Sequence, residues 1–125
     1  MSVIKFSGRV VSGKRIGTGL GFPTANIVPH EDITLPANGV YAARIAVPGY
    51  EGVLDCVLNQ GKHPTLPEGE PTIEAFILNF SGDIYGADVT VEYVEFIRGE
   101  VKFPDIEALK AQIASDVETA KRILA

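Results

Sequence analysis

Residues 13–26, GKRIGTGLGFPTAN, combine residue types that a hydrophobic core does not need. Glycines permit positive φ and close approach of the backbone to a ligand, and this stretch holds Gly13, Gly17, Gly19 and Gly21. Exposed backbone N–H groups in such a loop can form an anion-binding nest, beside which Lys14 and Arg15 add positive charge. The stretch therefore predicts a phosphate-binding loop, and the simpler alternative is a flexible hairpin with a turn at its tip.

The end of this stretch offers two oxygen-bearing side chains in a restricted backbone. Pro23 fixes its own φ and favours an extended conformation for the residue before it. In an extended chain Thr24 and Asn26 point to the same side, so their oxygen atoms could share one hard cation. Mg²⁺ on a nucleotide commonly takes a few protein oxygens together with phosphates and water. The two most common glycine-rich phosphate motifs are not present, and Pro23 interrupts one of them.

Glu74 is a second candidate for chemistry. In a predicted strand over residues 71–80 it would share one face with Phe76, Leu78 and Phe80. A carboxylate on an apolar face costs free energy unless it is paired or used, and one use is as a general base. The alternative is that Glu74 reaches solvent or pairs with a lysine.

Alternating apolar residues predict antiparallel strands followed by one helix. The predicted strands cover residues 3–12, 39–47, 52–60, 71–80 and 89–97. A change of parity in the last strand predicts a β-bulge near Tyr93. The helix begins at Pro104 or Asp105 and has an apolar stripe formed by Ile106, Leu109, Ile113, Val117, Ala120 and Leu124. Short connections without intervening helices favour a closed or nearly closed barrel with the helix packed on it.

Size and composition limit the function classes. A chain of 125 residues is expected to form one domain, residues 1–125, with a substantial core. The net charge of −5 argues against sequence-independent nucleic-acid binding. The N-terminus lacks a signal-peptide pattern, and no apolar run is long enough to span a bilayer, so a cytoplasmic protein without membrane partners is expected. Cys56, the single cysteine, excludes an internal disulfide and fits a buried thiol better than a nucleophile.

Several motifs together resemble the riboflavin kinase (flavokinase) family. The most specific is G-F-P-T-A-N at residues 21–26, and the others are spread along nearly the whole chain. They include L-P-x-x-G-V-Y-A at residues 35–42, N-x-G-x-x-P-T at residues 59–65, a Tyr-Gly pair at residues 85–86 and R-x-E-x-x-F at residues 98–103. The tail is similar to the C-terminal kinase domain of the bacterial bifunctional riboflavin kinase/FAD synthetase.

The resemblance implies a fold and an activity. The fold is a six-stranded antiparallel Greek-key barrel, mainly β, with a C-terminal helix packed on it. The activity is phosphorylation of the 5′-hydroxyl of riboflavin by ATP with Mg²⁺, giving FMN and ADP, in a protein expected to be a monomer. By the same resemblance Glu74 is the base, and Thr24 and Asn26 are the metal ligands. The predicted nucleotide-binding residues are Gly13, Lys14, Arg15, Gly17, Gly19, Gly21, Pro23 and Thr24.

Four positions depart from the family pattern. Thr18 stands where the bacterial motif has arginine, Phe76 replaces a histidine and Asn79 replaces an aspartate. Gln60 occupies a position that is commonly aliphatic. These departures leave a second hypothesis open, a catalytically weak or inactive flavin-binding or regulatory module on the same barrel. A third hypothesis sets the resemblance aside: a small barrel that binds a protein or an anionic metabolite through its glycine loop.

Overall fold

The structure, a computed structural model, describes residues 4–11, 24–31, 35–61, 72–80, 84–101 and 103–125. In these residues the chain forms six strands and one C-terminal helix. They are β1 (Ile4–Val11), β2 (Ala25–Pro29), β3 (Gly39–Ala46), β4 (Leu54–Gly61), β5 (Thr72–Ile77), β6 (Asp88–Arg98) and α1 (Ile106–Leu124). Among the described residues, no helix is both long and apolar enough to cross a bilayer.

The six strands close into a barrel in the order β1-β2-β5-β4-β3-β6, and every neighbouring pair is antiparallel. β3, β4 and β5 lie side by side, and β6 returns to lie beside β3, which is a Greek-key arrangement. Closure gives each strand two partners, so the barrel has no free sheet edge. The Greek-key barrel with a terminal helix that the sequence predicted is confirmed.

Two apolar layers hold the barrel and the helix together. The interior is filled by alternate residues of all six strands, among them Ile27, Ile45, Leu58, Ile73 and Val91. The second layer lies between the outer wall and α1, and it contains Val40, Ala42, Val57, Leu78, Val117, Ala120 and Leu124. β3 contributes to both layers, which explains why its apolar residues are nearly continuous. Full burial of one such valine or leucine side chain contributes about 1.5–3 kcal/mol.

The ends of α1 are satisfied by polar contacts. Asp105 is the N-cap, and its carboxylate accepts a hydrogen bond of 2.8 Å from the backbone N–H of Ala108. This confirms the predicted start of the helix. At the other end, Nη2 of Arg44 on β3 donates to the backbone carbonyl of Leu124 at 3.2 Å. The Arg44 contact satisfies a carbonyl that has no partner within the helix, and it places positive charge at the negative end of the helix dipole.

A buried ion pair fixes α1 to the barrel. Nε and Nη2 of Arg98, on β6, donate to Oδ1 and Oδ2 of Asp116 at 3.0 and 2.8 Å. Asp116 is 3% exposed, and it also accepts a hydrogen bond of 3.0 Å from the amide of Gln112. Because both carboxylate oxygens have donors, the charge of Asp116 is compensated although it is buried.

Gln60 shows how the barrel interior accepts a polar residue at a position that is commonly aliphatic in the family. The side chain is 1% exposed, and its Oε1 accepts a hydrogen bond of 2.6 Å from the Tyr93 hydroxyl. Its Nε2 donates to the Pro36 carbonyl at 2.8 Å. Burial raises the pKa of the Tyr93 phenol, so it remains a neutral donor. Gln60 therefore ties the segment that precedes β3 to the interior of the barrel.

Two local predictions are confirmed. The register between β3 and β6 shifts between Ala42 and Ala43, which face Glu95 and Tyr93, so β6 carries a bulge next to Tyr93. Cys56 is fully buried, and desolvation together with the charge of Asp55 raises the pKa of its thiol, which disfavours a nucleophilic thiolate.

The sequence predicted that Phe80 lies on the same strand face as Glu74, and this prediction is wrong. β5 ends at Ile77, and a turn at Leu78 and Asn79 follows it, with φ 53° at Asn79. Phe80 therefore packs against the interior cluster and against Tyr50, with ring centroids 5.1 Å apart. Glu74 shares the outer face with Phe76 and Leu78 but not with Phe80.

Asp116→Asn is expected to lower the free energy of unfolding by about 3 kcal/mol, because it leaves the Arg98 guanidinium without a compensating charge in a largely buried position. Urea denaturation measures the loss. The matched control is Glu118→Gln on the exposed side of the same helix, where the ion pair with Lys121 contributes less than about 1 kcal/mol. Equal effects of the two variants would contradict the anchoring role of Asp116.

Candidate active site

The pairing of β2 with β5 brings together two of the predicted site residues. Asn26 lies directly opposite Glu74, between the pairs Ala25–Ala75 and Ile27–Ile73. The alanines and isoleucines are buried in the interior, so the alternation of the strands turns Asn26 and Glu74 to the outer face. Both are half-buried. Directly opposite side chains emerge about 5 Å apart, which allows both to contact one small ligand.

Thr24 joins this pair through a hydrogen bond. Its Oγ1 donates to Oε1 of Glu74 at 2.9 Å. Thr24 immediately precedes β2 and is half-buried, and Pro23 lies before it in the sequence. The hydroxyl proton is directed to the carboxylate, so the lone pairs of Oγ1 remain available to a second partner. Thr24 and Asn26, which the sequence grouped together, and Glu74, which it selected separately, therefore form one cluster.

The Glu74 carboxylate has no cationic partner among the described residues. Thr24 is its one hydrogen-bond partner there, and the alternative of an ion pair with lysine is not seen within the described ranges. The described arginines of the barrel are used elsewhere, with Arg9 paired to Asp88, Arg44 to Asp55 and Arg98 to Asp116. A carboxylate oriented by a neutral hydroxyl and half-open to solvent can accept a proton from a bound hydroxyl group.

The remaining predicted site residues, Gly13, Lys14, Arg15, Gly17, Gly19, Gly21 and Pro23, lie outside the described residues. The described chain on either side shows where this segment is attached. Val11, the last residue of β1, is paired with Asn26, and Thr24 is the first described residue after the segment. Both attachment points are therefore next to Asn26 and Glu74. The departure at Thr18 is also outside the described ranges.

Sequence reasoning did not assign a role to Asn59. β4 pairs with β5 so that Asn59 lies directly opposite Glu74, on the side away from Asn26. The alternation of β4 placed Asn59 on a polar face, but its position beside Glu74 depends on the register between two strands. No local pattern in the sequence determines the register between β4 and β5.

Almost the whole chain matches the sequence model of one protein family. The sequence model of the family described as "Flavokinase: Riboflavin kinase" matches residues 2–124. This chain belongs to the riboflavin kinase family. Among its relatives is the bifunctional riboflavin kinase/FMN adenylyltransferase of Haemophilus influenzae, 44% identical over 114 residues. The match covers 91% of this chain and 36% of the relative, so the chain spans little more than a third of that protein's length.

Solved structures agree with the family's fold. A riboflavin kinase from Trypanosoma brucei matches with a TM-score of 0.63 and 26% identity, over 96% of this chain and 78% of that one. A macrolide-efflux protein from Streptococcus pneumoniae matches with a TM-score of 0.86 and 31% identity. That match covers 96% of this chain but 39% of that longer protein.

Two further motifs of the riboflavin kinase family meet at one point of the structure. The carboxylate of Glu100, from R-x-E-x-x-F, lies so close to the Cα of Gly61, from N-x-G-x-x-P-T, that a Cβ on Gly61 would collide with it. Gly39, from L-P-x-x-G-V-Y-A, has φ 151°, and a Cβ there would collide with the Arg98 carbonyl. A glycine is required at position 39, where the obstacle is backbone, whereas the obstacle at Gly61 is the end of the flexible Glu100 side chain. The two contacts link β3 with the end of β6, and β4 with the segment that follows β6.

The departures from the family at Phe76 and Asn79 have structural roles here. Phe76 packs against the layer between the barrel wall and α1, where an aromatic ring fits apolar neighbours. Asn79 adopts a left-handed conformation that asparagine and aspartate tolerate better than other non-glycine residues. Neither residue takes part in the hydrogen bond between Thr24 and Glu74.

Asn79→Asp is expected to change the free energy of unfolding by less than about 0.5 kcal/mol, whereas Asn79→Val should lower it by about 1–2 kcal/mol, because a β-branched residue is strained at φ 53°. Thermal or urea denaturation of the two variants gives the comparison. An equal loss for both would show that backbone strain is not what selects the residue at this turn.

Proposed function

We propose that this chain phosphorylates the 5′-hydroxyl of riboflavin with ATP and Mg²⁺, releasing FMN and ADP. Membership of the riboflavin kinase family supports the reaction class. The observation that carries the proposal is the cluster in which Thr24 donates to Glu74 and Asn26 lies directly opposite Glu74. This cluster joins a possible proton acceptor to two neutral oxygen ligands on one face of the barrel.

Glu74 is the general base in this proposal. The 5′-hydroxyl oxygen attacks the γ-phosphorus of ATP, the bond to the bridging oxygen breaks, and ADP leaves with that oxygen. The hydroxyl proton passes to the carboxylate of Glu74. The hydrogen bond from Thr24 occupies Oε1 and orients the carboxylate, so that the second oxygen can face the substrate. Positioning and proton transfer of this kind contribute about 10²–10⁴-fold in rate.

The donor atoms at the cluster suit Mg²⁺, which prefers oxygen ligands and commonly combines one or two protein groups with nucleotide phosphates. Thr24 Oγ1 and the amide oxygen of Asn26 are the proposed protein ligands. When bound, Mg²⁺ offsets the charge on the phosphate oxygens of the nucleotide. The proposed phosphate-binding residues are Gly13, Lys14, Arg15, Gly17, Gly19, Gly21 and Pro23, in the segment attached beside this cluster, together with Thr24.

A weak or inactive flavin-binding module is not favoured. The departures that suggested it have structural roles: Phe76 packs against the apolar layer beneath α1, and Asn79 adopts the left-handed conformation of a turn. They leave the contact between Thr24 and Glu74 in place. We infer that residues 1–125 act as one kinase domain and work as a cytoplasmic monomer. Riboflavin and ATP are the partners that this role requires.

Glu74→Gln is expected to reduce FMN formation by at least about 10²-fold, because the amide cannot accept the proton but can still accept the hydrogen bond from Thr24. FMN is separated by chromatography after incubation with riboflavin, ATP and Mg²⁺, and ATP affinity is measured by calorimetry. The affinity for ATP should change little.

The control for this change is Glu95→Gln, the same substitution at an exposed position of β6, on the opposite side of the barrel from β5. Turnover of Glu74→Gln at the rate of this control would remove Glu74 from the role of base. Absence of FMN even with the unmodified protein would overturn the proposed reaction itself.

Asn26→Ala is expected to raise the Mg²⁺ concentration for half-maximal rate by about tenfold, which corresponds to roughly 1.4 kcal/mol for one lost ligand. The rate is measured at saturating ATP and riboflavin while Mg²⁺ is varied. Binding of Mn²⁺ in the presence of ADP, followed by electron paramagnetic resonance, gives a readout independent of turnover. If neither quantity moves, Asn26 is not a ligand.

A further inference from the structure

Asn59 lies at a position next to Glu74 that the proposed mechanism leaves unused. On β4 it is directly opposite Glu74, while Asn26 is directly opposite Glu74 on β2. Neighbouring strands are about 4.8 Å apart, so the three side chains emerge in a row about 10 Å long. Leu58 and Gln60 on either side of Asn59 are buried in the interior, which confirms that Asn59 faces outwards.

The fold gives no structural reason for an asparagine at this position. Its side chain is exposed and makes no hydrogen bond to other residues in the part of the chain that the structure describes. Asparagine is also among the residues that are disfavoured within strands. By contrast, Gln60, the next residue, is buried and fully hydrogen-bonded. A polar residue that the fold does not use, placed beside a carboxylate with a proposed catalytic role, points to a ligand.

The position of Asn59 relative to Thr24 indicates which of the two substrates Asn59 contacts. Thr24 and Asn26 approach Glu74 from β2, and the proposed nucleotide segment is attached there. Asn59 approaches Glu74 from β4, on the other side. In phosphoryl transfer the attacking and leaving oxygens lie roughly in line, on opposite sides of the phosphorus. The acceptor alcohol is therefore expected on the β4 side of Glu74, where Asn59 is the exposed polar residue of the row.

We propose that Asn59 binds the secondary hydroxyl next to the reacting 5′-hydroxyl of the ribityl chain, and so selects polyol acceptors. This inference rests on the proposed phosphorylation of riboflavin. A carboxamide offers both a donor and an acceptor, which matches a hydroxyl group that both donates and accepts. Holding the neighbouring hydroxyl fixes the direction of the terminal carbon, and hence the approach of the reacting oxygen to Glu74.

The test combines a variant with a substrate analogue. Asn59→Ala is compared with the unmodified protein on riboflavin and on an analogue that lacks only the 4′-hydroxyl. With riboflavin, Asn59→Ala should lower kcat/KM about tenfold, the effect of one hydrogen bond of roughly 1.4 kcal/mol. With the analogue, the variant and the unmodified protein should have the same kcat/KM, because the hydroxyl that Asn59 binds is missing.

The control is Thr90→Ala, which truncates an exposed polar residue on β6, across the barrel from Glu74. This variant should not change kcat/KM for either substrate. Denaturation curves establish that both variants fold. If Asn59→Ala lowers kcat/KM equally for riboflavin and the analogue, or does not lower it for riboflavin, the proposed role of Asn59 is overturned.

Flavin binding separates this inference from the proposed function. Should the unmodified protein make no FMN, the Kd of riboflavin, measured by quenching of its fluorescence, tests Asn59 without turnover. Asn59→Ala should then weaken riboflavin binding about tenfold, and binding of the 4′-deoxy analogue should not change. Equal affinities of the variant and the unmodified protein for riboflavin would contradict the inference on their own.

Discussion

The pairing of β2 with β5 is the constraint on which the candidate site depends. It consists of three residue pairs, and the central pair is Asn26 with Glu74. The flanking pairs are buried in the barrel, with Ile27 and Ile73 at 3% and 1% exposure. Because side chains alternate along a strand, a slip of one residue would turn Glu74 into the apolar interior and bring an isoleucine out. Burial of the two isoleucines therefore fixes the geometry of the polar pair, and the hydrophobic core determines the site without contacting a ligand.

The outer face of the barrel is divided between packing and chemistry. α1 covers Val40, Ala42 and Val57, and the ion pair of Arg98 with Asp116 holds it there. Glu74 lies at the border of this covered region, with Phe76 on the apolar side. The row formed by Asn26, Glu74 and Asn59 runs across the uncovered part of the same face. One short strand, β5, thus supplies interior residues, a residue that packs under the helix and the proposed base. The period of two along the strand separates the interior residues from the other two.

Local patterns in the sequence predicted β1, β3, β4, β5 and β6, the helix and the region where it starts, the bulge near Tyr93 and the grouping of Thr24 with Asn26, but they did not predict β2 as a strand. They could not predict which strands are neighbours, since the pairs β2–β5 and β3–β6 join segments that are far apart in the chain. Asn59 was missed for this reason, because its closeness to Glu74 follows from the β4–β5 register alone. Phe80 was misplaced for a different reason: the left-handed turn at Asn79 ends the alternation before that residue. The predicted phosphate-binding residues between Gly13 and Pro23 remain predictions.

Among the described residues a neutral hydroxyl, and not a lysine or arginine, orients the Glu74 carboxylate, which suits its proposed role as a base. An ion pair would hold the carboxylate more firmly, but it would also stabilise the charged form and weaken it as a proton acceptor. Arg44 and Arg98, the arginines on β3 and β6, bind α1 instead, through the C-terminal carbonyl of Leu124 and the carboxylate of Asp116 near the middle of the helix. These two arginines therefore stabilise the packing of α1 on the barrel. Within the described ranges Glu74 has a single hydrogen bond, from Thr24, which sets the direction of the carboxylate for its proposed role.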